Sequence, residues 1–225
     1  MKFSEIRIWG DSVAKGIFFN EEKQRYALSS SRCTDLLEEK TGVSVYNHAV
    51  MGATAADGLK AFLQRPASPN ALCAIEYGGN DCDLDWAYVA QHPEEMVQAR
   101  EPLANYGETL RQWVEAVRER DMEPVLVTPP PLHAERYFGW VSQNLNAEAI
   151  LSALHGDVCS IYRWQERYAV TMRNIATQTR CMLWDLRDVF LARLDYPALM
   201  CVDGIHPNEA GYRVIAESVL AAVTG

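Results

Sequence analysis

Ser12 closes the stretch Ile8-Trp9-Gly10-Asp11-Ser12, where a short apolar run meets a Gly-Asp-Ser turn. Far downstream, Asp203-Gly204-Ile205-His206-Pro207 offers an acid and an imidazole three positions apart. A serine hydroxyl is a weak nucleophile at neutral pH unless a histidine takes its proton and an acid orients that histidine. All three residue types are present, together with two further segments able to bind a developing oxyanion. The chemistry these residues suit is cleavage of an ester through an acyl-serine.

Such residues need a scaffold that converges them, and the chain alternates strands with helices. Ile6 to Trp9, Ser44 to Tyr46, Ala71 to Tyr77, Val125 to Val127 and Met182 to Trp184 read as strands. Helical signals occupy Thr34 to Lys40, closed by Gly42 in a left-handed cap, and Ala55 to Gln64. Pro102 to Arg120 places Leu103, Tyr106, Leu110, Trp113 and Val117 at helical spacing, and Ile161 to Thr179 and Asn208 to Val223 complete the set. This alternation requires crossovers, and near-continuous apolar strands fit a sheet covered on both faces. The expected fold is α/β: a three-layer sandwich around a flavodoxin-like, doubly wound, mainly parallel five-stranded sheet. Residues 1–225 read as a single domain. The aromatic-rich stretch around 133–162 is less regular and suits a helical insertion or a lid.

In open parallel sheets, ligands bind beyond the carboxyl ends of the strands. Gly10-Asp11-Ser12, Val50-Met51-Gly52-Ala53-Thr54, Gly78-Gly79-Asn80-Asp81 and Thr128-Pro129-Pro130 each follow a strand, and Asp203 to His206 falls between the last strand and the last helix. The motifs thus gather at one sheet edge. Unrelated turns would lie there too, so location alone does not decide the function.

These segments, in this order, resemble the consensus blocks of the SGNH hydrolases, or GDSL esterases/lipases. The four namesake residues correspond to Ser12, Gly52, Asn80 and His206, and the resemblance runs from residue 8 to 212. Val13 stands where the family commonly has leucine, a conservative change. The resemblance implies that Ser12 attacks an ester carbonyl, that His206 accepts and returns the proton, and that Asp203 fixes the imidazole tautomer. It also implies that the N–H groups of Ser12 and Gly52 and the side-chain amide of Asn80 hold the oxyanion. Pro207 is expected as the first residue of the final helix.

Each residue has a plainer alternative. Ser12 could cap a helix, Gly52 and Asn80 could be turn residues, Asp203 could lead into a helix, and His206 could be a loop histidine. All of these would have to hold together in the family order. Asp11 is expected to stabilise its own turn. His48, His92, His133 and His155 have no partners at telling spacing and read as structural, with His133 near a pocket rim. Asp81, Asp83 and Asp85 lack the pattern of a calcium loop and read as a solvated acidic turn.

Composition narrows the field further. The 225 residues are 48% hydrophobic, enough for a full core, and the net charge of −9 offers no basic stripe for nucleic acid. Cys33, Cys73, Cys82, Cys159, Cys181 and Cys201 have neither disulfide-framework nor metal-ligand spacing, so reduced thiols, no metal and no cofactor are expected. Gly78-Gly79 lacks the lysine of a phosphate-binding loop. No membrane span or leader pattern is evident, which suggests a cytoplasmic protein without a membrane partner. The expected substrate is a small-molecule or glycan ester. Tyr137, Phe138, Trp140, Tyr162 and Trp164 could stack on sugar rings, pointing toward a carbohydrate O-acetyl esterase, or could simply pack the insertion. An acyltransferase using the same serine and a non-catalytic carbohydrate-binding protein are the competing readings. No sequence signal speaks to oligomeric state.

Overall fold

The computed structural model describes residues 3–224. In chain order the elements are β1 (Glu5–Gly10), α1 (Ser12–Lys15), β2 (Ile17–Asn20), β3 (Arg25–Leu28), α2 (Cys33–Thr41), β4 (Ser44–Asn47), α3 (Ala55–Leu63) and β5 (Ala71–Glu76). There follow α4 (Gly79–Cys82), α5 (Trp86–Gln91), α6 (Leu103–Arg118), β6 (Glu123–Val127), α7 (Ala134–Val141), α8 (Ala147–Ala153) and α9 (Cys159–Thr179). The chain ends with β7 (Met182–Trp184), α10 (Leu186–Leu191), a 3-10 turn (Tyr196–Leu199) and α11 (Glu209–Thr224).

The main sheet runs β4-β1-β5-β6-β7, with every neighbouring pair parallel. By sequence this order is second, first, third, fourth, fifth, the doubly wound flavodoxin-like arrangement expected above. β5 is buried along its whole length, as a central strand covered on both faces must be. Alternation along the strands divides the core into two layers. Ile6, Ile8, Leu72 and Ala74 face α2, α10 and α11, packing with Leu37, Phe190, Tyr212 and Ile215. Trp9, Cys73 and Ile75 face α3, α6 and α9, packing with Phe62, Leu110, Trp113 and Met172. The stretch around 133–162 holds α7, α8 and the start of α9. With α5 these build a third apolar cluster that includes Trp86, Leu132, Tyr137, Ile150 and Ile161.

Besides the short helices α4, α5 and α10, for which the sequence carries no signal, two features depart from the sequence expectation. β2 and β3 form a separate antiparallel hairpin in a stretch whose sequence pattern predicts no element. Its connection, Glu21-Glu22-Lys23-Gln24, lacks the Asn-Gly or Asp-Gly signature, and Gln24 itself takes the left-handed conformation with φ 47°. The final helix begins at Glu209 rather than at Pro207. Asn208 caps it, with Oδ1 accepting from the N–H groups of Ala210 (3.0 Å) and Gly211 (3.1 Å), while Pro207 forms an isolated bridge to Met200. Among the described residues no helix is long and apolar enough to cross a membrane.

Candidate active site

The end of β1 turns into α1 through Asp11, whose Oδ1 accepts from the N–H of Val13 at 2.9 Å. Asp11 is therefore the capping residue, and Ser12, first in the helix, keeps its hydroxyl for other work. His206 Nε2 lies 2.9 Å from Ser12 Oγ, across 194 positions of sequence. On the other side of the ring, His206 Nδ1 lies 2.7 Å from Asp203 Oδ2. Asp203 Oδ1 accepts from the N–H groups of Ile205 and His206, each at 3.1 Å. The loop closes tightly because Gly204 takes φ 75° and donates to the Cys201 carbonyl at 3.1 Å. A Cβ at Gly204 would stand 2.5 Å from the N of Tyr137, so glycine is also required for space.

Ser12, Asp203 and His206 are all buried. Burial pushes the Asp203 carboxyl up, but the His206 hydrogen bond and charge and the two backbone donors outweigh it, and its pKa falls below the ordinary aspartate value. Tyr26, from the hairpin, packs edge-on against the His206 ring with centroids 5.2 Å apart. Burial and the nearby Asp203 charge push its phenol well above the usual range, so it remains a neutral neighbour of the pair.

Asn80 sits on the short helix α4 after β5, and its Nδ2 donates to Asp11 Oδ2 at 3.0 Å. One amide proton is thereby fixed, which orients the second. Gly52 takes φ 81° in a turn where the N–H of Ala53 bonds the Val50 carbonyl at 3.1 Å. That turn is tied to the end of β1 by the N–H of Val50 on the Gly10 carbonyl at 3.0 Å. No acceptor for the N–H of Ser12 or of Gly52 is found among the described residues. Asp11 does stabilise its own turn, as expected, and also grips Asn80.

Ser12, Asn80 and His206 line a cavity of about 730 Å³; Asp203 lies behind its wall, and Gly52 is not among the lining residues. Apolar side chains dominate the lining, among them Trp86, Met96, Leu132, Leu154, Ile161 and Trp164. Acids contribute Asp11, Asp83, Glu94 and Glu95, whereas no Lys or Arg reaches the wall among the described residues.

Several expectations require correction here. The acidic turn is solvated only at Asp85, which is exposed. Asp81 is buried and accepts from the N–H of Ala55 at 2.9 Å, and burial pushes its pKa up to about 7. Asp83 accepts from Trp86 Nε1 at 2.9 Å and from the Tyr137 hydroxyl at 2.5 Å. Asp85 caps α5 through the N–H of Tyr88 at 3.0 Å. His133 does not line the cavity: its Nδ1 accepts from the N–H of Arg136 at 3.5 Å as the cap of α7, and it lies 3.1 Å from Glu135. His155, read as structural, does line it. Of the five aromatics considered for stacking, Tyr137 and Trp164 reach the wall. Trp140 packs on Phe19 with centroids 4.8 Å apart, and Tyr162 lies under the Arg187 guanidinium at 4.8 Å. Phe138 joins the third apolar cluster. Tyr26, Trp86 and the 93–97 rim carry no sequence signal for the site, because only the tertiary fold brings them to it.

A serine hydroxyl, an imidazole and a carboxylate at hydrogen-bonding distance on a parallel α/β sheet have the constellation of a serine hydrolase. Residues 8–214 match the GDSL-like lipase/acylhydrolase family, and the chain belongs to that family as an ester-hydrolysing serine hydrolase. No curated protein matches the chain. Solved structures share its fold. A lipase/acylhydrolase from Enterococcus faecalis superposes with a TM-score of 0.68 at 18% identity, covering 98% of this chain and 95% of that one. An acetylxylan esterase from Geobacillus stearothermophilus gives 0.64 at 21% identity, covering 100% and 97%. A member of the lipolytic G-D-S-L family from Veillonella parvula gives 0.66 at 13% identity, covering 98% of each.

Proposed function

We propose that the protein hydrolyses uncharged carboxylic esters through an acyl-enzyme on Ser12. The observation that carries this reading is the line of contacts from Ser12 Oγ to His206 Nε2 (2.9 Å) and from His206 Nδ1 to Asp203 (2.7 Å). Ser12 Oγ bonds to the carbonyl carbon as its proton passes to His206 Nε2. The resulting oxyanion is held by the Ser12 and Gly52 N–H groups and the Asn80 amide. Collapse breaks the ester C–O bond, and His206 returns the proton to the departing alcohol. Water then attacks the acyl carbon by the same proton route, releasing the acid and free Ser12. Asp203, held ionised, stabilises the imidazolium in both halves.

The cavity wall supports the preference for neutral esters. Its fixed charges are acidic, so anionic substrates such as phospholipid head groups or nucleotide thioesters would meet repulsion. Its volume of about 730 Å³ accommodates far more than an acetyl group. Either the acyl chain or the alcohol portion fills the rest. Trp164 and Tyr137 favour a sugar alcohol, and the fold-sharing neighbour described as an acetylxylan esterase acts on such a substrate; together they make an O-acetylated glycoside the second candidate.

A fluorophosphonate probe tests the nucleophile: stoichiometric labelling at Ser12 is expected, and an unlabelled protein would favour a non-catalytic binding role. Initial rates on acetyl, butyryl and octanoyl p-nitrophenyl esters, set beside acetylated xylose oligomers, separate a chain-filling from a sugar-filling substrate. Partition of the acyl group between water and added alcohols separates hydrolysis from acyl transfer.

A further inference from the structure

Beneath the oxyanion donors lies an acid that the reaction above does not use. Glu76 is the last residue of β5 and is 3% exposed. Its Oε2 accepts from the N–H of Ala14 at 3.2 Å, and its Oε1 is buried with no hydrogen-bond partner. Asp11, 2% exposed, packs against it, with Oδ1 on the Val13 N–H (2.9 Å) and Oδ2 on the Asn80 amide (3.0 Å). Gly10 permits this approach, since a Cβ there would stand 2.6 Å from the Glu76 carbonyl oxygen and 3.1 Å from its Oε2.

The groups around the pair leave it short of positive charge. Tyr77, Tyr106 from α6 and Tyr212 from α11 are neutral phenols; the Tyr106 hydroxyl donates to the Tyr77 carbonyl (3.0 Å) and that of Tyr212 to the Ile17 carbonyl (2.5 Å). Asp81 adds a further acid beside Asp11. Cys33 and Arg32 border Glu76 from the start of α2, but the Arg32 guanidinium turns to Asp35 at 2.9 Å. His206 acts on Asp11 from the active-site side. Gly10 pairs with Glu76 in the sheet register, so the two buried carboxyls sit side by side under the first turn of α1; neighbours in such surroundings cannot both ionise, and they retain one proton. Asp11, with two donors, takes the charge; Glu76, with one donor and an orphaned oxygen, keeps the proton.

We propose that Glu76 is a positioning residue for the oxyanion site: as a neutral acid it donates a hydrogen bond to Asp11, and so holds Asp11 as the acceptor that aims the Asn80 amide. Burial raises the Glu76 pKa well above the glutamate value, and the Asp11 charge raises it further. The inference rests on the proposed role of Asn80.

The test follows kcat and KM for p-nitrophenyl acetate against pH in wild type, Glu76→Gln and Glu76→Leu. Wild-type kcat should fall on the alkaline side as the pair loses its proton, with KM little changed. Glu76→Gln, which can still donate to Asp11 but does not titrate in this range, should lose that alkaline fall while kcat near neutrality stays within severalfold. Glu76→Leu should lower kcat about tenfold or more, part of the loss expected from removing an oxyanion donor outright. An alkaline fall that persists unchanged in Glu76→Gln, or wild-type kcat in Glu76→Leu, would overturn the proposal. If the leucine variant does not fold, carbon-13 NMR of labelled glutamate carboxyls in wild type decides: one must remain protonated at about pH 7, and none doing so sinks the idea. Failure of fluorophosphonate labelling at Ser12 would count against the catalytic reading, not against the carboxyl pair.

Discussion

Two buried acid groups flank Ser12, and the protein treats them oppositely. Asp203 is surrounded by donors, namely the His206 ring and two backbone N–H groups, and its charged form is stabilised despite complete burial. The Asp11–Glu76 pair has more acceptor oxygens than donors, and its pKa values are driven up by burial. Both places are buried; the donors and the His206 charge around Asp203, against a second carboxyl and fewer donors at the Asp11–Glu76 pair, set the opposite protonation states. One side of the serine thus stores a negative charge for an imidazolium, and the other stores a proton.

The largest effect should come from removing what stands between them. Ser12→Ala should lower kcat about a million-fold with the thermal midpoint nearly unchanged, leaving the acid groups as they are; p-nitrophenyl acetate hydrolysis by the purified variant measures it. Asp203→Asn breaks the charged side, and kcat at neutral pH should fall about ten-thousand-fold because the imidazole loses its orienting acceptor. Asn80→Ala removes the donor next to the protonated side and should reduce kcat about 10²–10³-fold. Retained kcat in that variant would dismiss the amide from the oxyanion site.

The smallest effect is on stability, and its sign separates the two acids. The Asp203 pKa is lowered on folding, so its contribution is present above the ordinary aspartate value and is lost as pH falls through the folded one. The Glu76 pKa is raised on folding, so folding binds a proton that the unfolded chain has released. Stability is then lost as pH rises from the ordinary glutamate value through the folded one. Glu76→Gln should therefore gain on wild type by about 1.4 kcal/mol per pH unit within that window, read from urea midpoints at successive pH values. A constant difference between the two proteins across pH would show that Glu76 ionises normally.

Much of this architecture is legible in the chain. The central strands β5 and β6 contain apolar runs bounded by turn residues, and the strand–helix alternation yields the parallel order of the sheet through crossover rules. Ser12, Asn80 and His206 are readable because loops after parallel strands carry polar residues that the core cannot explain. The hairpin is not readable, since its strands are only half-buried and its turn lacks glycine. Nor is Glu76, which looks like an ordinary acid at a strand end until three surrounding elements bury it. Asp81 and Asp83 appear solvated for the same reason: tertiary contacts, not spacing, remove their water.

Arg100 has a consequence of its own. Its guanidinium donates to the Gly52 carbonyl at 3.0 Å, and its backbone N–H bonds the Asp83 carbonyl at 2.8 Å. The same residue ends the span that contributes Met96 and Val97 to the cavity lining. Arg100 therefore clamps the Gly52 turn to the Asp83 segment of the cavity wall, so that one side chain and one peptide hold the two in register.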